Sequence, residues 1–257
     1  MKTPVTIFAE IRKFCRANGQ DDVIRKYAKY FTEGYDAYGV DPRLLENQRD
    51  LWMERYRLGL QGYLTLGDLL VKGGKHEEAG LAIWFVASFK KEFTPGVLRR
   101  LGSWLDTGLA NWALTDFISG EVLSRFLVEN IVPLKAFSSW RKAQSRWKRR
   151  SVPVSMIKPL KAGGPVEEYL EFIEPMMEDR DRVVQQGLGW FLREAWKRHP
   201  AAVEEFLMQW KNQCGRIIVQ YATERMAAGE KMRFKKVKPA KPGSALPSKS
   251  RRRAVRS

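Results

Sequence analysis

The 257-residue chain has only two cysteines, Cys15 and Cys214, and two histidines, His76 and His199. Two cysteines make no disulfide framework and fit a reducing cytosol. With so few soft ligands a zinc site lacks donors, so neither a metal nor another cofactor is expected. The same scarcity of histidine leaves Ser-His-Asp catalysis without support. No Gly-x-x-x-x-Gly-Lys-Ser/Thr loop is present to cradle a nucleotide triphosphate. No apolar run reaches the roughly 18 residues needed to span a bilayer. Glu10, Arg12 and Lys13 interrupt any signal-peptide core near the N-terminus, so no membrane partner and a cytoplasmic location are expected. Strand signals are nearly absent: no Asn-Gly or Asp-Gly turn joins two alternating apolar runs.

Positive charge and helical periodicity are abundant. The chain carries 46 Lys or Arg against 29 Asp or Glu, a net charge of +17. Residues 231–257 hold eleven Lys or Arg and no acid, and residues 1–230 keep a net +6. The body is therefore basic without its tail. Polyanions are its natural partners, nucleic acid first and anionic membrane surface second. The plainer reading is that the excess charge only maintains solubility. Proline, glycine, serine and like charges in 231–257 leave too little apolar area to fold, so this segment is read as a disordered basic arm that attracts phosphate without reading sequence. Hydrophobic residues make up 44% of the chain, enough for a sizeable core over 1–230.

Apolar residues recurring at helical spacing predict helices at 4–17, 21–34, 43–58, 63–72, 76–91, 95–105, 109–128, 132–144, 147–160, 165–176, 180–198, 200–211 and 214–227. Their connections are short and rich in turn residues, such as Gly73-Gly74 and Thr94-Pro95-Gly96. Consecutive helical pairs, each with one apolar face, predict an all-α fold: an α-solenoid of the HEAT or armadillo sort, whose long concave face, if basic like the body, would suit nucleic acid such as DNA. A compact helical bundle is the competing architecture.

Two of these helices carry side chains that their core stripes do not explain. At about 100° per residue, Leu188, Phe191, Leu192 and Ala195 form one stripe, and Trp190 stands nearly opposite with Gln186, Arg193 and Lys197. In the helix at 109–128, Leu114, Phe117, Ile118 and Val122 form the stripe, and Trp112 and Asp116 lie four apart on another face. An off-core Trp is often just half-exposed, and an Asp on a repeat is often paired with an Arg of the next. The combination of ring, carboxylate and cations favours a site. Residues 140–150 add six cations and two tryptophans: Arg141, Lys142, Arg146, Lys148, Arg149 and Arg150 with Trp140 and Trp147. Interleaved Arg and aromatic residues suit a nucleic-acid backbone better than a plain solvated face. Pro153 is expected to end or kink a helix soon after Arg150.

Four stretches give these features a relative. They are Tyr35-Asp36-Ala37-Tyr38-Gly39-Val40-Asp41-Pro42, Asn111-Trp112-Ala113-Leu114-Thr115-Asp116, Trp147-Lys148-Arg149-Arg150 and Gly189-Trp190-Phe191-Leu192-Arg193-Glu194. In this order and at this spacing the chain resembles the AlkD-type DNA alkylation repair glycosylases, built of HEAT-like repeats, over most of residues 20–228. Ala113 stands where that family more often carries an acidic residue.

The resemblance implies excision of cationic N3- and N7-alkylpurines from double-stranded DNA, leaving an abasic site. It implies Asp116 as the catalytic carboxylate, with Trp112 and Trp190 on the lesion side. It places the phosphate-contacting arginine at Arg150, with Arg149 as neighbouring candidate. It also implies that the lesion can stay stacked while these residues touch its deoxyribose.

The chemistry fits the residues. An alkylpurinium leaves as a neutral base, positive charge develops on the sugar, and a nearby carboxylate stabilises that charge and orients water. Lys148, Arg146, Arg193 and Lys197 complete the expected DNA-binding set. The protein is expected to act as a monomer at the nucleoid, as a monofunctional glycosylase without a lysine nucleophile. The rival readings are a non-catalytic HEAT-like protein that binds branched or bent DNA, and a helical protein scaffold.

Overall fold

The structure, a computed structural model, describes residues 2–236. The first helices are α1 (Pro4–Asn18), α2 (Asp21–Ala28), α3 (Pro42–Tyr56), α4 (Gly59–Gly73), α5 (His76–Ala87) and α6 (Pro95–Thr107). They are followed by α7 (Trp112–Ile118), α8 (Ser124–Val128), α9 (Arg146–Ser155), α10 (Ile157–Lys161) and α11 (Val166–Ile173). The last are α12 (Arg182–Trp196), α13 (Pro200–Trp210), α14 (Arg216–Ala222) and α15 (Ala228–Met232). No strand is present among the described residues, and no helix there is long and apolar enough to cross a membrane. The chain is an all-helical repeat.

Local chemistry starts these helices. Thr3, Asp41, Asn111 and Ser145 each cap a helix by accepting a backbone N–H with the side chain, which satisfies donors that a first turn leaves free. Pro4, Pro42, Pro95 and Pro200 occupy the first helical position, where a missing N–H costs nothing. The predicted stripes lie in the core, with Leu114, Ile118 and Val122 buried, as are Leu188, Phe191, Leu192 and Ala195; Phe117 is the exception, only partly buried against it.

Four differences from the expected elements have physical causes. Residues 132–144 form a run of 3-10 turns over Leu134–Lys142 rather than an α-helix. Leu134, Phe137 and Trp140, all buried, recur every third residue, and a three-residue turn aligns them. Helix α2 stops at Ala28 rather than near residue 34, because the following segment folds back so that Phe31 stacks on Tyr35 at 4.6 Å and on Trp112 at 5.6 Å. Pro153 lies inside α9 without ending it; the helix runs two residues past the proline, to Ser155. Finally, the folded part does not stop at 230. Phe234 is 1% exposed, Arg233 pairs with Glu204 at 2.9 Å, and α15 reaches Met232. Residues 231–236 therefore pack on the body, while the rest of the expected arm, 237–257, lies outside the described residues.

Helices α7, α9, α12 and α14 pack in succession, and α5 joins α7 on the other side. Two glycines let α12 come close to its neighbours. A Cβ on Gly189 would sit 2.5 Å from the Cβ of Tyr221 and 2.8 Å from the carbonyl oxygen of Ile218. A Cβ on Gly187 would meet Arg150 Cγ at 3.2 Å. The first clash is with backbone and a stem carbon, which cannot swing aside. Gly189→Ala is thus expected to lower unfolding free energy by about 1–3 kcal/mol, as overpacking does, in a urea melt. An unchanged midpoint would show that α12 and α14 can separate freely.

Candidate active site

Asn111 begins the site. Its Oδ1 accepts the N–H of Leu114 at 2.9 Å, which starts α7 and sets Trp112 and Asp116 one turn apart. Its Nδ2 lies 3.4 Å from Nδ1 of His76 on α5, the contact an amide donor makes with an unprotonated ring nitrogen. Trp112 is 40% exposed, the only tryptophan among the exposed large hydrophobics of the described residues. Its indole N–H donates to the carbonyl of Tyr30 at 3.1 Å while Phe31 stacks on one face. Directly after Asp116 and Phe117, the chain widens into a π turn over Ser119–Leu123, a departure found often at functional sites.

Asp116 faces α9. Arg150 Nε donates to Oδ1 and Nη2 to Oδ2, both at 2.8 Å, and Nη1 donates to the carbonyl of Val183 at 2.6 Å. Arg150 is 5% exposed and the Asp116 side chain 16%. Burial pushes the Asp116 carboxyl above the usual aspartate range, and the two bonds from Arg150 pull it back only in part. Three guanidinium N–H groups are engaged, so of the five that an arginine carries two are uncommitted in these contacts. Arg150, the expected phosphate contact, lies under Asp116 as that residue's inter-repeat partner.

The other predicted cations are also paired. Arg149 donates to Asp179 at 2.7 Å, to the carbonyls of Ala143 and Gln144, and to Asp181. Lys148 reaches Asp106 at 2.6 Å, and Arg146 reaches Glu33 at 3.3 Å. Arg193 pairs with Glu224, and Lys197 with the buried Glu194 at 2.7 Å. Arg149 and Lys148 are thereby committed to joining neighbouring elements. Arg146 and Lys197 keep 40% and 45% of their side-chain surface, so a phosphate could reach them. Trp190 is partly buried against the core, one turn from Gln186, which donates to the hydroxyl of Tyr221 at 2.8 Å. The structure therefore brings Asp116 and Arg150 into contact, puts Trp112 one turn away, and places Trp190 on α12, which packs against α9.

A cavity of about 540 Å³ opens beside Trp112, between α2, the segment after it, α5 and α7. Sequence reasoning missed it. A signal was there, because Tyr27, Tyr30, Phe31, Tyr35 and Tyr38 crowd into twelve residues. Glu77, also missed, builds the turn beneath: its carboxylate accepts the N–H groups of Tyr38 at 2.9 Å, Gly39 at 2.7 Å and Val40 at 3.2 Å. Gly39 has φ of +78°, and a Cβ there would meet the Gln20 carbonyl at 2.2 Å, so that turn needs glycine. Among the described residues no cluster of three His, Cys, Asp or Glu could hold a metal ion.

Buried cationic anchors, a capped short helix carrying Trp and Asp, and an all-helical repeat define the class; comparison supplies the family. Residues 11–226 match the family model described as DNA alkylation repair enzyme. The chain belongs to the DNA alkylation repair enzyme family. Its fold is similar to that of a "predicted DNA alkylation repair enzyme" from Enterococcus faecalis, at 14% identity and a TM-score of 0.71, covering 82% of this chain and 98% of that one. It is also similar to AlkD2 from Streptococcus mutans, at 16% identity and a TM-score of 0.55, covering 81% and 99%. No curated protein sequence matches the chain.

His76 supplies a pH prediction. Burial holds its pKa below the ordinary value, against a smaller upward pull from Glu77. The unfolded chain therefore takes up the proton first. The stabilising contribution is whole above the unfolded pKa of about 6.5 and is lost as pH falls below it, with a slope of at most about 1.4 kcal/mol per pH unit. Unfolding free energies measured across this window should fall on acidification in the wild type and fall less in His76→Gln. Identical profiles would mean that His76 titrates alike in both states.

Proposed function

We propose that this protein is a monofunctional alkylpurine DNA glycosylase that hydrolyses the N-glycosidic bond of cationic N3- or N7-alkylpurines in duplex DNA. The observation that carries the reading is Asp116: a carboxylate held in a fixed orientation by a two-pronged bond, still partly exposed, one turn from an exposed tryptophan. Arg150 occupies one lone pair on each Asp116 oxygen, which leaves the others for a developing oxocarbenium ion and for water. Trp112 offers its free face to the sugar or the cationic base, and Trp190 does so from α12. The uncommitted N–H groups of Arg150 could take the neighbouring phosphate without releasing Asp116. Arg146 and Lys197 would hold phosphates further along by exchanging carboxylate for phosphate, and Arg193, Lys148 and Arg149 act chiefly by keeping α9 and α12 in place. The protein works as a monomer near the nucleoid, without a cofactor.

One observation favours a second reading. The Asp116–Arg150 pair is neutral as a unit, so its attraction for a sugar cation is weaker than that of a lone carboxylate. A protein that binds branched or bent DNA without chemistry could keep such a pair for its fold alone.

Base release from a duplex with one 7-methylguanine separates the two. Asp116→Asn should reduce release by about a hundred- to a thousandfold, the scale of a lost transition-state charge interaction, with duplex affinity intact. No release by the wild type, with tight binding, would select the second reading. The acid limb of the rate profile should lie above the ordinary aspartate range, since a raised pKa loses the ionised form sooner on acidification; a limb at or below that range would disconnect Asp116 from the rate. Deleting 237–257, which hold seven Lys or Arg, should flatten the salt dependence of non-specific binding. An unchanged slope would show that these charges stay off the DNA.

A further inference from the structure

Trp112 and Asp116 lie in the first turns of α7, and what fixes a first turn is its cap. Arg150 holds Asp116 from α9. The start of the helix rests on one residue. Asn111 Oδ1 accepts the N–H of Leu114 at 2.9 Å, and the Asn111 main-chain carbonyl accepts the N–H of Thr115 at 3.1 Å and its hydroxyl at 2.9 Å. A side-chain amide has one accepting and one donating end. The cap works only with the oxygen toward Leu114. The nitrogen must then donate elsewhere, and what it meets is Nδ1 of His76 at 3.4 Å.

Three elements converge on this imidazole. At the start of α5, the backbone N–H of His76 donates to the carbonyl of Asp36 at 2.8 Å. The ring lies 4.9 Å from that of Tyr35 and 5.8 Å from that of Phe31, which also stacks on Trp112. His76 is thus wedged between the segment after α2 and the residue that caps α7. It accepts from Asn111 only as the neutral tautomer with its proton on Nε2. Once Nδ1 is protonated, it faces the amide nitrogen donor against donor. The conflict is relieved by turning the amide over, which takes Oδ1 away from Leu114, or by parting α5 from α7.

Other ionisable groups near His76 are Glu77, which follows it on α5, and Tyr27, Tyr30 and Tyr35, which share its cavity. Glu33 and Asp36 stand across the neighbouring cleft, paired with Arg146 and Lys75. Asp116, the one charge on α7, faces α9 instead. Burial disfavours the imidazolium, and Glu77 offsets that only in part.

We propose that His76 is a positioning residue of the site: as the neutral imidazole it orients the Asn111 amide, through that cap it fixes Trp112 and Asp116, and a proton taken up at Nδ1 loosens α7. The link from His76 to α7 stands without the glycosylase reading, whereas its effect on base release rests on that reading.

Backbone amide exchange across α7, followed by mass spectrometry on the full chain, tests the link by itself. The comparison runs from about pH 7.5 to about pH 5, on either side of the ordinary histidine range, with the intrinsic exchange rate corrected. Exchange over Trp112–Ile118 should speed up about five- to tenfold in the wild type, the scale of a lost N-cap. His76→Gln, whose side-chain oxygen accepts at every pH, should stay slow in both conditions. His76→Phe, a ring without an acceptor, should be fast in both. Helix α12 is the internal control and should be unmoved. Should His76→Phe unfold, which α12 would reveal, the contrast between wild type and His76→Gln still decides. A wild type and His76→Gln that respond alike, or a folded His76→Phe as protected as the wild type, overturns the proposal.

Base release from the 7-methylguanine duplex reads the consequence. His76→Phe should lower the single-turnover rate about tenfold with duplex affinity unchanged, and His76→Gln should restore it. On the same acidification the wild-type rate should fall about tenfold further than that of His76→Gln, since both share the loss at Asp116. Equal falls overturn the positioning role and leave the glycosylase reading standing. The expected exchange pattern with no base release from any form keeps the link and removes the glycosylase reading.

Discussion

The bond between Asp116 and Arg150 is the constraint on which the site depends. It joins α7 to α9, and through the Val183 carbonyl Arg150 also touches the first turn of α12. Three successive helices of the repeat thus meet on one guanidinium. A buried ion pair of this kind is not cheap to form, since both partners lose water. Its worth lies in geometry. A two-pronged arginine fixes the plane of the carboxylate, which a single lysine contact would leave free to rotate. Gly187 is part of the same device, because a larger residue there would crowd the arginine stem at 3.2 Å.

The surroundings hold this pair by ordinary means. Asn111 caps α7 and so fixes Trp112 at its first position. Arg149, one residue before Arg150, is tied to Asp179, Asp181 and two carbonyls of the preceding loop, which anchors the start of α9. Glu194 collects Lys161 and Lys197 at the far end of α12. In a chain with a large positive excess, acidic residues such as Asp106, Asp116, Asp179 and Glu194 each hold a cation in one place. The resulting field is basic in sum and finely divided near the helices, so phosphate must compete for cations already held.

Much of the fold was legible because amphipathic periodicity reports burial directly. The stripes around Leu114 and Leu188 are the core, and the side chains that departed from them, Trp112, Trp190 and Asp116, are exposed or half-buried. What periodicity cannot report is partnership. Asp116 and Arg150 are 34 residues apart, and helical phase alone places each on a face without saying that the faces meet. The cation-rich run at 146–150 reads as a phosphate surface until Asp106, Asp179 and Glu33 arrive from distant segments. The cavity was hidden for a related reason. Residues 21–34 carry a helical pattern, and only the stacking of Phe31 on Trp112, 81 residues away, makes the chain leave the helix after Ala28.

These long-range contacts also divide the site into two environments that share Trp112. On one side, α7 meets α9 and the chemistry is ionic: a carboxylate, a guanidinium and oriented dipoles. On the other, α7 meets α5 and the segment after α2, and the chemistry is aromatic, with the Glu77 carboxylate held beneath the rings by three backbone N–H groups. A purine cation bound to a deoxyribose has the same two-part character, a flat charged ring joined to a sugar that becomes charged as the bond breaks. Trp112 stands at the boundary of the two: it lines the aromatic side and lies one helical turn from Asp116 on the other.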